Sequence, residues 1–237
     1  MTGGRVSYMK VSCIICAHNE EKRISAVLGA LGDHPLLLEV IVVDDGSEDG
    51  TAAVVRQWTK KYPNITLISL PQNLGKSSAL ATGLESARGD LILLLDADLK
   101  GLTAENVTEL IAPVAEGSAD ISISLRKNSL PVYKMLGLDF VSGERVFKKS
   151  FIAPHIDTLR NLPGFSLEVF INELLIKENL RVKTVKWNNV VNPRKSAKSG
   201  LVKGTMDDAS MISDILKVIS AQDIIRQNYR ILSLSVE

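Results

Sequence analysis

Short apolar runs recur along the first half of the chain, and each gives way to a cluster of polar, charged or glycine residues. Residues 11–16, 40–43, 65–70, 91–95 and 120–125 have the length and β-branched content of buried strands. Between them, residues 20–31, 50–61, 77–87 and 103–115 carry helical spacing. "SEDGT" offers capping side chains before Ala52, and "LTAEN" offers Thr103 ahead of the fourth helix. This β-α-β-α rhythm predicts an α/β fold, a mostly parallel sheet with helices on both faces. Ligands in such sheets bind beyond the carboxyl ends of the strands. The residues found there are "AHNE", "DDGS", "PQNLGKS", "DADLKG" and "RKN" in turn. The site is therefore expected along that edge.

The second half is less regular. "LDFVSGERVFKKS" reads as two short strands or as a strand and a turn, and "GFSLEVFINELLIKEN" as a helix with Phe165, Val169, Leu174 and Leu175 among its apolar positions. "RVKTVKW" alternates apolar with basic, the mark of a half-exposed strand. Met211, Ile212, Ile215, Leu216 and Ile219 follow helical spacing, either to pack on the protein's own core or to dock elsewhere. No Pro/Gly-rich break divides the chain. One domain is expected over residues 1–237, with residues 11–125 as one half, 126–204 as the other and 205–237 as a helical tail.

Two residue groups sharpen the picture. Asp96 and Asp98 end "LILLLDADLKG", separated by one alanine. On an extended chain, residues i and i+2 share a side, so both carboxylates are expected to face one point. Like charges that close need a positive partner, and hard oxygen ligands suit Mg²⁺ or Mn²⁺. The alternative is a turn of solvated acids. Cys13 and Cys16 form a C-x-x-C, but an i, i+3 pair on a strand faces opposite ways and no second pair exists. They are expected to be buried and structural.

At 237 residues, net charge +1 and 45% hydrophobic content, the chain fits one sizeable α/β unit and gives no bulk electrostatic reason to bind nucleic acid. No apolar run nears the roughly 20 residues that span a bilayer, and "MTGGRVSYMK" lacks a signal-peptide core. A cytoplasmic protein is expected, peripheral at most to the membrane face. Residues 181–204 hold seven Lys or Arg and no acid, which suits either a solvated face or an anionic acceptor or phospholipid surface. Gly75-Lys76 at a helix start suits a diphosphate. The segment is not a P-loop, because Leu70 stands where the first glycine must be.

Together, "SCIICAHNEE", "VIVVDDGSEDGT", "PQNLGKSSALATGLESARGDLILLLDAD" and "VSGERVFKKS" resemble family-2 glycosyltransferases of the GT-A fold, over roughly residues 11 to 200. The look is nearest to dolichol- or polyprenyl-phosphate mannosyl- and glucosyltransferases. The resemblance implies a nucleotide-sugar donor, GDP- or UDP-linked, and a polyprenyl phosphate acceptor. It implies that Asp96 and Asp98 hold the metal on the diphosphate, that Asp45 faces the base, and that Glu20 faces the nucleoside end. Ala17, Asn19, Gly75, Lys76 and Ala97 complete the implied donor site. Arg126 and Arg145 are implied near the sugar and the acceptor phosphate, with Ser142, Arg194 and Lys198 on the acceptor side. Asp44 either joins this set or only caps the next helix.

Three departures stand out. Cys16 replaces a common proline, and Lys100 stands where the lipid-phosphate enzymes often carry a glutamine near the metal. The Gln-x-x-Arg-Trp pattern of processive synthases is missing. Glu168 reads as a general base for a hydroxyl acceptor or as an ordinary helix residue; an ionised phosphate acceptor needs no base. A small soluble acceptor such as glycerate or phosphoglycerate is the second reading, and a nucleotide-sugar-binding subunit without catalysis is the third. The oligomeric state is open between a dimer and pairing with a membrane-anchoring partner.

Overall fold

A computed structural model describes residues 9–129, 131–136, 139, 141–162, 166–193 and 221–236. Its strands are β1 (Val11–Ala17), β2 (Leu37–Asp44), β3 (Ile65–Ser69), β4 (Leu91–Asp96), β5 (Ile121–Arg126), β6 (Arg145–Lys148) and β7 (Val182–Trp187). The helices that position the site are α1 (Ile24–Gly29), α2 (Thr51–Lys61), α3 (Lys76–Ser86), α4 (Ala104–Ala115), α5 (Pro131–Leu136), α6 (Lys149–Ile152), α7 (Ile156–Arg160), α8 (Leu167–Lys177) and α9 (Ala221–Ser233).

The period-two pattern of the strands divides the core cleanly. Val11, Cys13 and Ile15 of β1, Val40 and Val42 of β2, and Leu91, Leu93 and Leu95 of β4 face one side, packed with apolar residues of α1 and α4. Ile14, Ile41, Val43, Ile92 and Leu94 face the other, against Ala79, Leu80, Ala81 and Leu84 of α3 and Leu167, Ile171 and Leu175 of α8. Each large aliphatic side chain enclosed this way contributes about 1.5–3 kcal/mol. Burial on both faces explains why these strands read as continuous apolar runs. The cysteines obey the same alternation: Cys13 lies in the first cluster and Cys16 packs against the second. Burial raises both thiols, that of Cys16 to about 12, which favours the unreactive form.

All seven strands form one sheet in the order β3-β2-β1-β4-β6-β5-β7. It is parallel except at β6, which runs antiparallel to both β4 and β5. The expected mostly parallel sheet with helices on both faces is therefore present. The reversal of β6 has a consequence: its N-terminal residue Arg145 pairs with Leu94 and Ile123, close to the carboxyl ends of the neighbouring strands. The turn before β6 thus joins the same edge as the loops after β1, β2 and β4. "LDFVSGERVFKKS" resolves into one strand and a helical turn, Lys149–Ile152. β7 is the half-exposed edge strand that alternation predicted.

The first helix is shorter than its spacing predicts, because residues 20–23 are held as a turn. Asn19 adopts φ 56°, the Glu20 amide donates to Thr51 Oγ1 at 2.8 Å, and Arg23 pairs with Glu20. Phe165 and the apolar positions Met211 to Ile219 lie outside the described residues. Among the described residues, no helix is long and apolar enough to cross a membrane. α4 begins as predicted at Thr103, whose Oγ1 accepts from the Asn106 amide while Asn106 Oδ1 accepts from the Thr103 amide. Thr103→Ala removes this reciprocal cap and is expected to cost about 1 kcal/mol, read from the denaturant midpoint at unchanged slope.

Candidate active site

The loops after β1, β2 and β3 are bonded into one unit. Asn19 Oδ1 accepts from the Glu48 amide at 2.9 Å, and the Asn19 amide donates to Ser47 Oγ at 2.9 Å. The Asp45 amide donates to the Ala17 carbonyl at 2.8 Å. The Asp45 carboxylate accepts from the amides of Leu74 and Gly75 at 2.8 and 2.9 Å, which fixes the turn that opens α3. Asp45 is thus a brace for this turn, a role that its implied position on a base had not suggested. Asp44 accepts from the Ser47 amide at 3.2 Å, a local turn bond; it does not cap the next helix, whose start at Gly50 has no side-chain cap. Ala17, Glu20 and Ala97 are buried, while Asn19 is exposed.

Gly75 has φ 91°, which a residue with a Cβ rarely adopts, and it delivers Lys76 to the first position of α3. From there Lys76 Nζ reaches Asp96 Oδ1 at 2.9 Å and Glu168 Oε1 at 2.8 Å. The other oxygen of Asp96 accepts from Asn192 Nδ2 at 3.1 Å and lies 3.7 Å from Arg126 Nη1. Burial alone would raise the Asp96 pKa; Lys76 and Arg126 outweigh it and hold the carboxyl well below the usual range. Burial likewise opposes the Lys76 charge, yet Asp96 and Glu168 outweigh it and raise the ammonium well above an ordinary lysine. Both groups are ionised at neutral pH.

β4 ends at Asp96, and a turn carries Asp98. Strand alternation therefore does not set the direction of Asp98; this corrects the spacing argument. Asp98 is 5% exposed. Just beyond, Lys100 and Val191 exchange backbone hydrogen bonds at 2.9 and 3.0 Å, and this bridge brings Asn192 to Asp96. The Lys100 side chain is exposed.

A buried polar cluster supports Arg126. Its Nη1 donates to Glu144 Oε1 at 3.1 Å and its Nη2 lies 3.5 Å from Asp139 Oδ2. Glu144 also accepts from Ser124 Oγ at 2.7 Å and Ser142 Oγ at 2.6 Å. Burial raises the Glu144 pKa in spite of Arg126. Arg145, expected near the sugar or the acceptor phosphate, is 0% exposed and donates to the Ser142 carbonyl at 2.8 Å and Asn172 Oδ1 at 2.6 Å. Ser142 is equally enclosed. In this arrangement both shape the turn before β6. Arg194 and Lys198 lie outside the described residues.

Among the described residues, no group of three or more His, Cys, Asp or Glu is gathered to cage a metal. Mg²⁺ in phosphate chemistry is commonly held by one or two carboxylates together with the phosphates. Asp96, at a strand end beside a cationic cluster, offers one carboxylate of that kind, and Asp98 lies buried two residues further on.

A parallel α/β sheet with an inserted antiparallel strand, and a carboxylate with basic partners at its carboxyl edge, defines a protein of the GT-A kind. The chain belongs to glycosyl transferase family 2, whose model matches residues 12–133. It is 30% identical over 178 residues to a dolichyl-phosphate beta-glucosyltransferase of Dictyostelium discoideum, covering 70% of this chain and 50% of that one. A dolichyl-phosphate beta-glucosyltransferase of Trichomonas vaginalis is 33% identical over 150 residues, 54% of this chain and 44% of that one. A dodecaprenyl-phosphate galacturonate synthase of Rhizobium johnstonii is 27% identical over 132 residues, 54% of this chain and 39% of that one. The chain spans half the length or less of these relatives. Glucosyl-3-phosphoglycerate synthase of Mycobacterium tuberculosis shares the fold at TM-score 0.66 and 21% identity, over 88% of this chain and 79% of that one.

Glu144, Asp139, Asn192 and Gly143 were missed as contributors to this cluster. "NNVVN" follows the seventh strand, so the rule that found the other loops would have reached Asn192 had it been carried that far. Gly143 is a matter of space: a Cβ there would lie 2.7 Å from Asp96 Oδ1 and 2.8 Å from Lys76 Nζ. Gly143→Ala should therefore force the ion pair apart, costing about 1–3 kcal/mol in denaturant unfolding.

Proposed function

We propose that the chain is a metal-dependent, inverting hexosyltransferase that moves a sugar, glucose first, from a nucleoside diphosphate to a polyprenyl phosphate. The observation that carries the reading is the pairing of Asp96 with Lys76 and Arg126 at the strand edge of a family-2 domain. The lipid-phosphate acceptor is supported by relatives named for dolichyl and dodecaprenyl phosphate. A UDP-linked donor is supported by the fold neighbour solved with Mn²⁺ and UDP-glucose. Work at a membrane face accompanies that acceptor, reached from the surface or through a partner.

Cleaving the sugar–phosphate bond leaves a diphosphate with growing negative charge. Asp96 and Asp98 would hold a Mg²⁺ or Mn²⁺ ion, which supplies Lewis-acid stabilisation of that charge when bound. Lys76 and Arg126 add fixed positive charge in a half-buried setting, where it acts more strongly than in water. Asp45 keeps the Gly75 turn in place beneath the diphosphate, and Asn19 locks the loop that carries Glu20. The acceptor phosphate attacks the anomeric carbon from the face opposite the leaving group. It is already ionised, so Glu168 serves as the counter-ion of Lys76 and takes no proton.

Asp96→Ala and Asp98→Ala should each abolish glucosyl transfer from UDP-glucose to polyprenyl phosphate in a radiolabel assay. EDTA should do the same reversibly, with Mn²⁺ or Mg²⁺ restoring transfer. Full activity in either variant sinks the mechanism. Transfer to 3-phosphoglycerate with none to the lipid phosphate would replace the acceptor.

A further inference from the structure

We propose that Lys76 is a resident counter-cation that keeps Asp96 engaged until a diphosphate draws it away, so that the divalent ion and the nucleotide bind as a synergistic pair. The inference rests on the functional reading above and concerns how its two ligands are coupled.

Donors dominate the described contacts to the Asp96 oxygens: Lys76 Nζ and Asn192 Nδ2 lie within hydrogen-bond reach and Arg126 Nη1 just beyond, with the Glu144 carboxyl also close enough to share a hydrogen bond. A divalent ion approaching this carboxylate alone meets two positive charges and an oxygen already in use. Repulsion between charges a few ångströms apart in a half-buried site is ample to shift affinity tenfold or more. A diphosphate changes the balance, because it offers the ammonium a new set of anionic oxygens and brings ligands of its own to the metal.

The placement of Lys76 favours such an exchange over a permanent structural role. It occupies the first position of α3, the end of a helix that repels cations and attracts anions. No side chain caps this helix start, and Ser77 Oγ on the same turn is buried without a hydrogen-bond partner among the described residues. The lysine stem is flexible, and its head is a point charge with no fixed fork to hold it in one geometry. Glu168 comes from α8, a different element from β4, and it keeps Lys76 anchored when Asp96 lets go.

The test measures binding on the whole chain. Free Mn²⁺ is followed by electron paramagnetic resonance without nucleotide. UDP affinity is then measured by calorimetry with and without Mn²⁺, corrected for the Mn²⁺–UDP complex in solution, and GDP is run in parallel. In the unmodified protein each ligand should tighten the other at least tenfold, a coupling of about 1.4 kcal/mol. Lys76→Gln should bind Mn²⁺ alone about tenfold more tightly, with the synergy reduced by a similar factor, while Lys76→Arg should keep the synergy. Glu168→Gln leaves the ammonium leaning on Asp96 alone; it should weaken Mn²⁺ binding and raise the synergy, and it decides the matter if the lysine variant does not fold. Unchanged synergy in Lys76→Gln, or a loss of synergy in Glu168→Gln, overturns the proposal and leaves the function intact. No binding of Mn²⁺ or either nucleotide by the unmodified protein overturns both.

Discussion

A carboxylate at the end of a buried strand keeps its charge only if cations stand beside it, and most of this site can be traced to that constraint. Asp96 is carried by a strand whose preceding residues are enclosed on both faces, so water contributes little to its solvation. Lys76 and Arg126 supply what the solvent does not. Each of those cations then needs acids of its own, which Glu168, Glu144 and Asp139 provide. Removing one member of such a set leaves a buried charge uncompensated, typically at about 3–5 kcal/mol. The same cations that stabilise the folded protein are placed to receive a phosphorylated ligand.

Sheet topology explains how residues so distant in sequence meet. Lys76, Asp96, Arg126, Glu144, Glu168 and Asn192 come from both halves of the chain. Parallel strands send the ends of β4 and β5 to one edge, and the reversal at β6 brings its preceding turn there as well. Gly143, in that turn, allows backbone to pass directly against the Lys76–Asp96 pair. The C-terminal part is therefore a wall of the site as much as an addition to the sheet.

Much of this was legible from the pattern of residues, and the misses have physical reasons. Strands and helix starts were readable because two-sided burial imposes long apolar runs and caps impose particular side chains, as at Thr103. The edge that collects function was readable because polar loops followed each strand. What pattern could not give was the pairing within the edge. Arg145 looks like a phosphate ligand by its motif, yet the antiparallel strand turns it inward to Asn172. Asp45 shows its bracing of the Gly75 turn only once the loops after the second and third strands are brought together. Asp98 escaped strand logic because the strand stops two residues before it. Such partners depend on which elements become neighbours, and a linear pattern does not encode that directly.

Arg145 carries one more implication, about how distant elements are tied together. Its guanidinium donates to Asn172, whose own amide donates to Gln227 on α9, and Gln227 returns a bond to the carbonyl of Val169. Part of the polar interior is thus completed by α9, a helix that contributes nothing to the Lys76–Asp96 and Arg126–Glu144 pairs themselves. Loosening α9 would release Asn172 and, through it, the buried guanidinium that opens β6, so the order of this helix and the order of the turn before β6 are tied together.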